Sequence, residues 1–204
     1  RILKNSGFYF SEITDNIIEN DNNTVNVLFD VELGEKAYIK KIQFIGEKYY
    51  KDRLLRSIIA SEEDKFWKFI TSKRFINPET IALDKRLLKR FYLNKGHYQV
   101  NISDSFIEYT DNNNFKLVYN INSGPKFMVN NASLSLPLDY DEKDFSTIKK
   151  RLSKLQGKHY SINKLKKIAN EVDKLSLRND YEFLNASFEE NIISENKINL
   201  VFKI

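Results

Sequence analysis

The chain has 204 residues, 41% hydrophobic and 30% charged, and it lacks the run of about 18 apolar residues that a membrane-spanning helix needs. It has no cysteine, which excludes disulfide frameworks, thiol nucleophiles and Cys-based metal sites, and only two histidines, His97 and His159. The net charge of +5 is mild and its signs are interleaved, as in Lys51-Asp52-Arg53 and Asp84-Lys85-Arg86, so the locally basic stretches 85–90 and 149–167 read as solvated helix faces. An N-terminal Arg1 with no basic-then-apolar leader reads as a fragment of a longer chain.

A repeat organises the sequence. Asp21-Asn22-Asn23-Thr24-Val25-Asn26-Val27-Leu28-Phe29 is echoed 90 residues later, from Asp111 to Tyr119, and Lys197-Ile198-Asn199-Leu200-Val201-Phe202 supplies a third copy. An aromatic landmark precedes each copy: Ser6-Gly7-Phe8-Tyr9, Lys95-Gly96-His97-Tyr98 and Asn179-Asp180-Tyr181. The chain therefore divides into the tail of one unit at 1–35, a complete unit at 36–125 and a further unit at 126–204.

The complete unit opens with a strand over 38–45, where Ile42 and Phe44 alternate with polar neighbours. Leu54, Leu55, Ile58 and Ile59 recur at helical spacing. An insertion at 62–77 carries Phe66, Trp67 and Phe69, which read as a loop anchor or a partner-docking knob. Asn77-Pro78 starts a second helix, with Asn as N-cap and Pro where its missing N–H is harmless, and Gly96 suits its end. Tyr98, Val100 and Ile102 alternate with Gln99, Asn101 and Ser103, which predicts a half-buried strand, and a turn at 111–113 leads to a last strand with Phe115, Leu117, Tyr119 and Ile121 on one face.

The next unit gives the same order: a strand at 128–136, a helix through Phe145, Ile148, Leu152 and Leu155 with Asp141 as candidate cap, a helix opened by Ser161, and a closing hairpin at 181–190 and 198–204. Both units read β-α-α-β-β, an α+β class in which a three-stranded sheet is covered on one face by two helices. His97 reads as a surface or half-buried turn residue. Glu62, Glu63 and Asp64 lack the burial that would tune a carboxylate for acid–base work. No phosphate-cradling glycine loop, G-x-S-x-G or H-E-x-x-H is present, so neither an enzyme nor a cofactor or metal site is expected.

The segment from Asp84 to Tyr98 resembles the D-x-x-L-L-x-x-F-Y-x-x-x-G-Y junction of POTRA (polypeptide-transport-associated) domains, with His97 displacing the final aromatic by one place. Ile42-Gln43-Phe44-Ile45-Gly46 is similar to the I-x-F-x-G first strand of that family, and Val118 to Phe127 to its exit motif, whereas Leu134-Ser135-Leu136 departs from the F-x-G ending. The resemblance implies a mixed sheet in each unit, and second, third and fourth domains for 1–35, 36–125 and 126–204. It further implies a periplasmic scaffold attached to a C-terminal β-barrel in the outer membrane of a Gram-negative bacterium. Unfolded outer-membrane β-barrel proteins and accessory lipoproteins would be its partners, without nucleic acid. In the family the second strand lies at the sheet edge, which makes Gln99, Val100, Asn101, Ile102 and Ser103 the candidate edge for pairing with an extended client. The arm of a related translocation or two-partner-secretion protein would read alike. A KH-like RNA-binding module would need a G-x-x-G loop between its helices, and none is present.

Overall fold

A computed structural model describes residues 2–65, 72–103, 105–111, 114–138, 140–176 and 184–204. In chain order it holds α1 (Ile2–Asn5), β1 (Glu12–Glu19), β2 (Val25–Glu32), β3 (Tyr38–Ile45), α2 (Asp52–Ile58), a 3-10 turn (Ser72–Arg74), α3 (Pro78–Asn94), β4 (Ser105–Asp111) and β5 (Asn114–Asn120). There follow β6 (Met128–Ser135), α4 (Ser146–Ser153), α5 (Ile162–Ser176), β7 (Ser187–Ser194) and β8 (Lys197–Lys203). The strands form a β1-β2 hairpin and two separate three-stranded sheets, β3-β5-β4 and β6-β8-β7. In each three-stranded sheet the first strand runs parallel to the central one and the remaining strand antiparallel, so the class is α+β with mixed sheets. Two compact units result, one of residues 1–88 with 102–121 and one of residues 89–101 with 122–204.

In the first unit Ile39, Ile42 and Phe44 are all buried although their spacing is three then two. A bulge between Ile39 and Lys41 resets the alternation and turns both isoleucines inward. Phe44 stacks on Tyr119 of the central strand at 5.6 Å, and Leu55, Ile81 and Leu88 close the core from the helices. α2 is one residue shorter than its apolar spacing suggests, because Ile59 is already extended. α3 starts as expected: Asn77 Oδ1 accepts the N–H groups of Glu79 (2.8 Å) and Thr80 (3.3 Å).

Asp84 of α3 is wholly buried and serves as an anchor. It accepts the amides of Ala60 (2.6 Å) and Ser61 (3.2 Å), just beyond α2, and the hydroxyl of Tyr119 (2.5 Å). One carboxylate thus ties α2, α3 and β5 together. Burial, reinforced by that carboxylate, pushes the Tyr119 phenol far up, so it remains a donor.

Gly46 ends the first strand at φ +82°, and a Cβ there would lie 2.5 Å from the carbonyl oxygen of Ile121, whose own N–H donates to Ile45 O at 3.0 Å. The nearest contact is backbone and cannot swing aside, and the Asn120 side chain adds a second clash at 2.7 Å. Gly46→Ala is expected to cost on the order of 1–3 kcal/mol, read as a lowered urea midpoint with an unchanged slope. An unaltered midpoint would mean that this closure can relax.

The expected strand at 98–103 is a correction. Residues 98–99 form a turn, Val100 donates to His97 O at 3.3 Å, and Asn101 makes an isolated two-way bridge with Asn122 at 2.8 Å in each direction. The alternation is real, since Val100 and Ile102 are buried and Gln99, Asn101 and Ser103 exposed, but it belongs to an extended connector. The second strand of the sheet is β4, further along the chain.

The second unit repeats the plan. Val129, Ala132 and Leu134 point into its core across a bulge between Val129 and Asn131, 90 residues after its counterpart. Phe145, Ile148, Leu152, Leu165, Ile168 and Val172 cover the sheet from the helices. α4 starts at Ser146; Asp141 instead caps a preceding turn by accepting the N–H of Lys143 at 2.9 Å. At the head of α5, Asn94 Oδ1 accepts the Asn163 N–H at 2.9 Å. The landmark Asn179-Asp180-Tyr181 lies outside the described residues.

The two other landmarks build the same turn. Gly7 (φ +96°) and Gly96 (φ +98°) follow α1 and α3, and their carbonyls accept the N–H groups of Ala37 (2.9 Å) and Phe127 (2.8 Å), just ahead of β3 and β6. The left-handed conformation that ends each helix turns that carbonyl outward, which is the physical reason for the repeated glycine.

Candidate pairing edge

A three-stranded sheet has two edges, and the first unit treats them differently. Along β3 the backbone is occupied: Asp64 N–H donates to Ile39 O at 2.7 Å, Ile42 N–H donates to Glu63 Oε1 at 3.0 Å, and Phe75 bridges Tyr38. The acidic run 62–64 is therefore edge cover. Burial pushes the Asp64 carboxyl up, but the hydrogen bonds and charges of Lys40 (2.6 Å) and Arg74 (2.9 Å) outweigh it and hold the group below its ordinary value. At β6 the cover recurs, with Val129 donating to Lys158 O and Tyr160 to Phe127 O, each at 2.9 Å.

Among the described residues β4 pairs with β5 alone. The strand Ser105-Phe106-Ile107-Glu108-Tyr109-Thr110-Asp111 has no proline and no cation, and Glu108 is engaged by Lys116 at 2.7 Å. Little in it opposes a further strand. Ile107 and Tyr109 stand opposite Leu117 and Phe115, on the core-side face, and Phe106 opposite Val118 on the other. Beside them Tyr9, Phe10 and Phe115 complete an apolar hollow, with Phe10 and Tyr109 rings 5.7 and 5.3 Å from that of Phe115. Phe106 and Tyr109 are 46% and 57% exposed, so aromatic surface flanks an open backbone edge.

The structure thus separates the candidate residues. Gln99, Val100, Asn101, Ile102 and Ser103 lie in the connector, where Asn101 already uses both backbone groups and Ser103 O accepts from Lys85 at 3.2 Å. Phe66, Trp67 and Phe69 lie outside the described residues. Sequence reasoning missed β4, although Ser105 to Thr110 contains β-favouring Phe, Ile, Tyr and Thr next to the turn it had identified. In the second unit β7 is the matching strand and likewise pairs with β8 alone among the described residues, while the side chain of its central Glu190 is held by Tyr98 (3.0 Å) and Tyr160 (2.7 Å). Burial and that carboxylate push the Tyr98 phenol up to about 12.

His97, expected at or near the surface, is fully buried, with Nδ1 2.9 Å from Gly124 O. Burial lowers its proton affinity below the ordinary value near 6.5, against the opposing pull of that carbonyl. The unfolded chain then binds the proton more readily, so stability is complete above about pH 6.5 and falls as pH drops toward the depressed folded value. Urea midpoints taken between about pH 7.5 and 5.5 should decline, and His97→Phe should flatten that slope whatever its own stability. An equal slope in the variant would assign the decline to other groups.

Among the described residues no helix is long and apolar enough to cross a membrane, and no group of three or more His, Asp or Glu side chains is placed to hold a metal. Residues 37–124 match the family model of the POTRA domain, described as surface antigen variable number repeat. This segment, with its β-α-α-β-β order and mixed sheet, is similar to the POTRA family. The chain is 23% identical over 190 residues to the outer membrane protein assembly factor BamA of Neorickettsia risticii, covering 92% of this chain and 25% of that protein. The same-named protein of Neisseria meningitidis serogroup B is 24% identical over 162 residues, covering 79% of this chain and 20% of its own length. The chain thus spans a quarter or less of these curated relatives. A crystal structure of Haemophilus influenzae BamA POTRA domains 3–5 shares the fold over 100% of this chain and 75% of that one, at a TM-score of 0.62 and 17% identity.

Proposed function

We propose that this chain is the POTRA region of a BamA-like outer-membrane protein assembly factor, on the periplasmic side of the membrane, and that it holds extended segments of β-barrel precursors by strand addition to β4. The observation that carries the reading is the asymmetry of the first sheet, with β3 covered by 62–64 and Phe75 while β4 pairs only with β5 among the described residues. Backbone pairing has little side-chain preference, which suits a receptor for many precursors, and the hollow at Ile107, Tyr109 and Phe115 favours apolar residues at alternate positions. Accessory lipoproteins dock elsewhere on the chain, with Phe66, Trp67 and Phe69 as the proposed contact, and a C-terminal barrel anchors the whole. Its work is binding, with no chemical step.

The test is amide exchange on the chain with and without a saturating peptide copied from a barrel strand. Alternate amides of β4 should slow by about tenfold or more, since strand addition sequesters one N–H in two. Protection confined to other segments, or none, would refute the assignment of β4.

A further inference from the structure

The second unit gathers charge in a way the sequence conceals. α4 and α5 bring Lys150, Arg151, Lys154, Lys164 and Lys167 to one open cleft, and no carboxylate lines it among the described residues. Arg151 meets Glu171 at 3.7 Å, but among the described residues no salt bridge engages the four lysines. Helix stability accounts for only part of this: Lys150 and Arg151 sit in the last turn of α4, where the dipole favours cations, but the remaining features run against it. Lys150 and Lys154 are one turn apart, as are Lys164 and Lys167, so each pair repels. Lys164 also sits in the first turn of α5, where the helix dipole disfavours a cation and no acidic residue offsets it. The floor between the helices is Leu155 and Ile168.

We propose that this cleft docks an acidic segment of a partner protein, its carboxylates meeting the lysines on both helices and an apolar side chain resting on Leu155 and Ile168. Cations lining the two helices of one cleft match the two sides of a single chain, whereas a bilayer surface, being flat, would engage a convex basic face. The field of such a cleft also speeds encounter with an acidic partner. This docking is independent of strand addition at β4.

The test uses the full chain and a fluorescein-labelled peptide, Glu-Glu-Leu-Glu-Asp-Leu-Glu-Glu, followed by fluorescence anisotropy at low and high salt. Binding should be present at low salt and weakened by high salt, and should fall about tenfold or more in Lys154→Glu/Lys164→Glu. Lys197→Glu, which makes the same kind of charge change on β8, should bind within about twofold of the parent. Circular dichroism establishes that both variants remain folded, and Lys154→Gln/Lys164→Gln provides a milder replacement should charge reversal unfold the unit. Equal losses in the cleft and β8 variants would overturn the proposal, since attraction would then be diffuse. So would absent peptide binding, whether or not phosphatidylglycerol vesicles bind the parent; vesicle binding lost in the cleft variant would assign the cleft to lipid instead.

Discussion

Replacing Asp84 by alanine should destabilise the first unit by about 3–5 kcal/mol, a large part of the stability of a typical domain. The carboxylate is fully buried and meets the Ala60 amide, the Ser61 amide and the Tyr119 hydroxyl. Truncation leaves all three donors without that acceptor, and each that is buried then costs about 1–3 kcal/mol, the part-buried Ala60 amide least. Asp84→Asn keeps one acceptor oxygen but brings an NH2 group toward donors, so its loss should be intermediate. Tyr119→Phe removes one donor and leaves two amides on the carboxylate, for a loss nearer 1–2 kcal/mol. Urea denaturation followed by circular dichroism gives the three values. If Tyr119→Phe costs as much as Asp84→Ala, the phenol and not the carboxylate organises the site.

That carboxylate marks the boundary of what the sequence disclosed. Helix starts, glycine stops and the alternation of Ile42 and Phe44 are local signals, and Asn77-Pro78, Gly96 and the first strand appear where the sequence placed them. Asp84 looked like one sign in an interleaved run with Lys85 and Arg86. Its partners lie 23 to 35 residues away, and no spacing rule encodes such a separation. The basic stretch 149–167 hid its cleft for the same reason, because convergence of two helices is a tertiary fact. The misplaced edge strand had another cause. An extended connector buried on one side alternates just as a strand does, and periodicity alone cannot say whether its backbone has a ladder partner. The two-way bridge between Asn101 and Asn122 supplies that missing information.

Proline substitutions in β4 should separate client binding from folding. Backbone N–H groups along an antiparallel strand alternate between its two sides, so of Phe106 and Ile107 one donates toward β5 and the other outward. Phe106→Pro and Ile107→Pro therefore form a matched pair. One removes a ladder bond and should lower the melting temperature by several degrees, while the other removes an outward donor and should leave circular dichroism unchanged. The folded variant is expected to bind barrel-strand peptides about tenfold more weakly, the equivalent of one lost hydrogen bond. Phe106→Ala and Ile107→Ala give the part of that loss owed to the side chains. Asn101→Pro should behave differently, because the Asn101 N–H already donates to Asn122 O: stability falls, and binding falls only in proportion to the unfolded fraction. Binding equal to that of the parent in the folded β4 proline variant would place the client site on another surface. Loss confined to the alanine variants would leave the hollow beside Tyr109 and Phe115 as the receptor, with the strand edge as its wall.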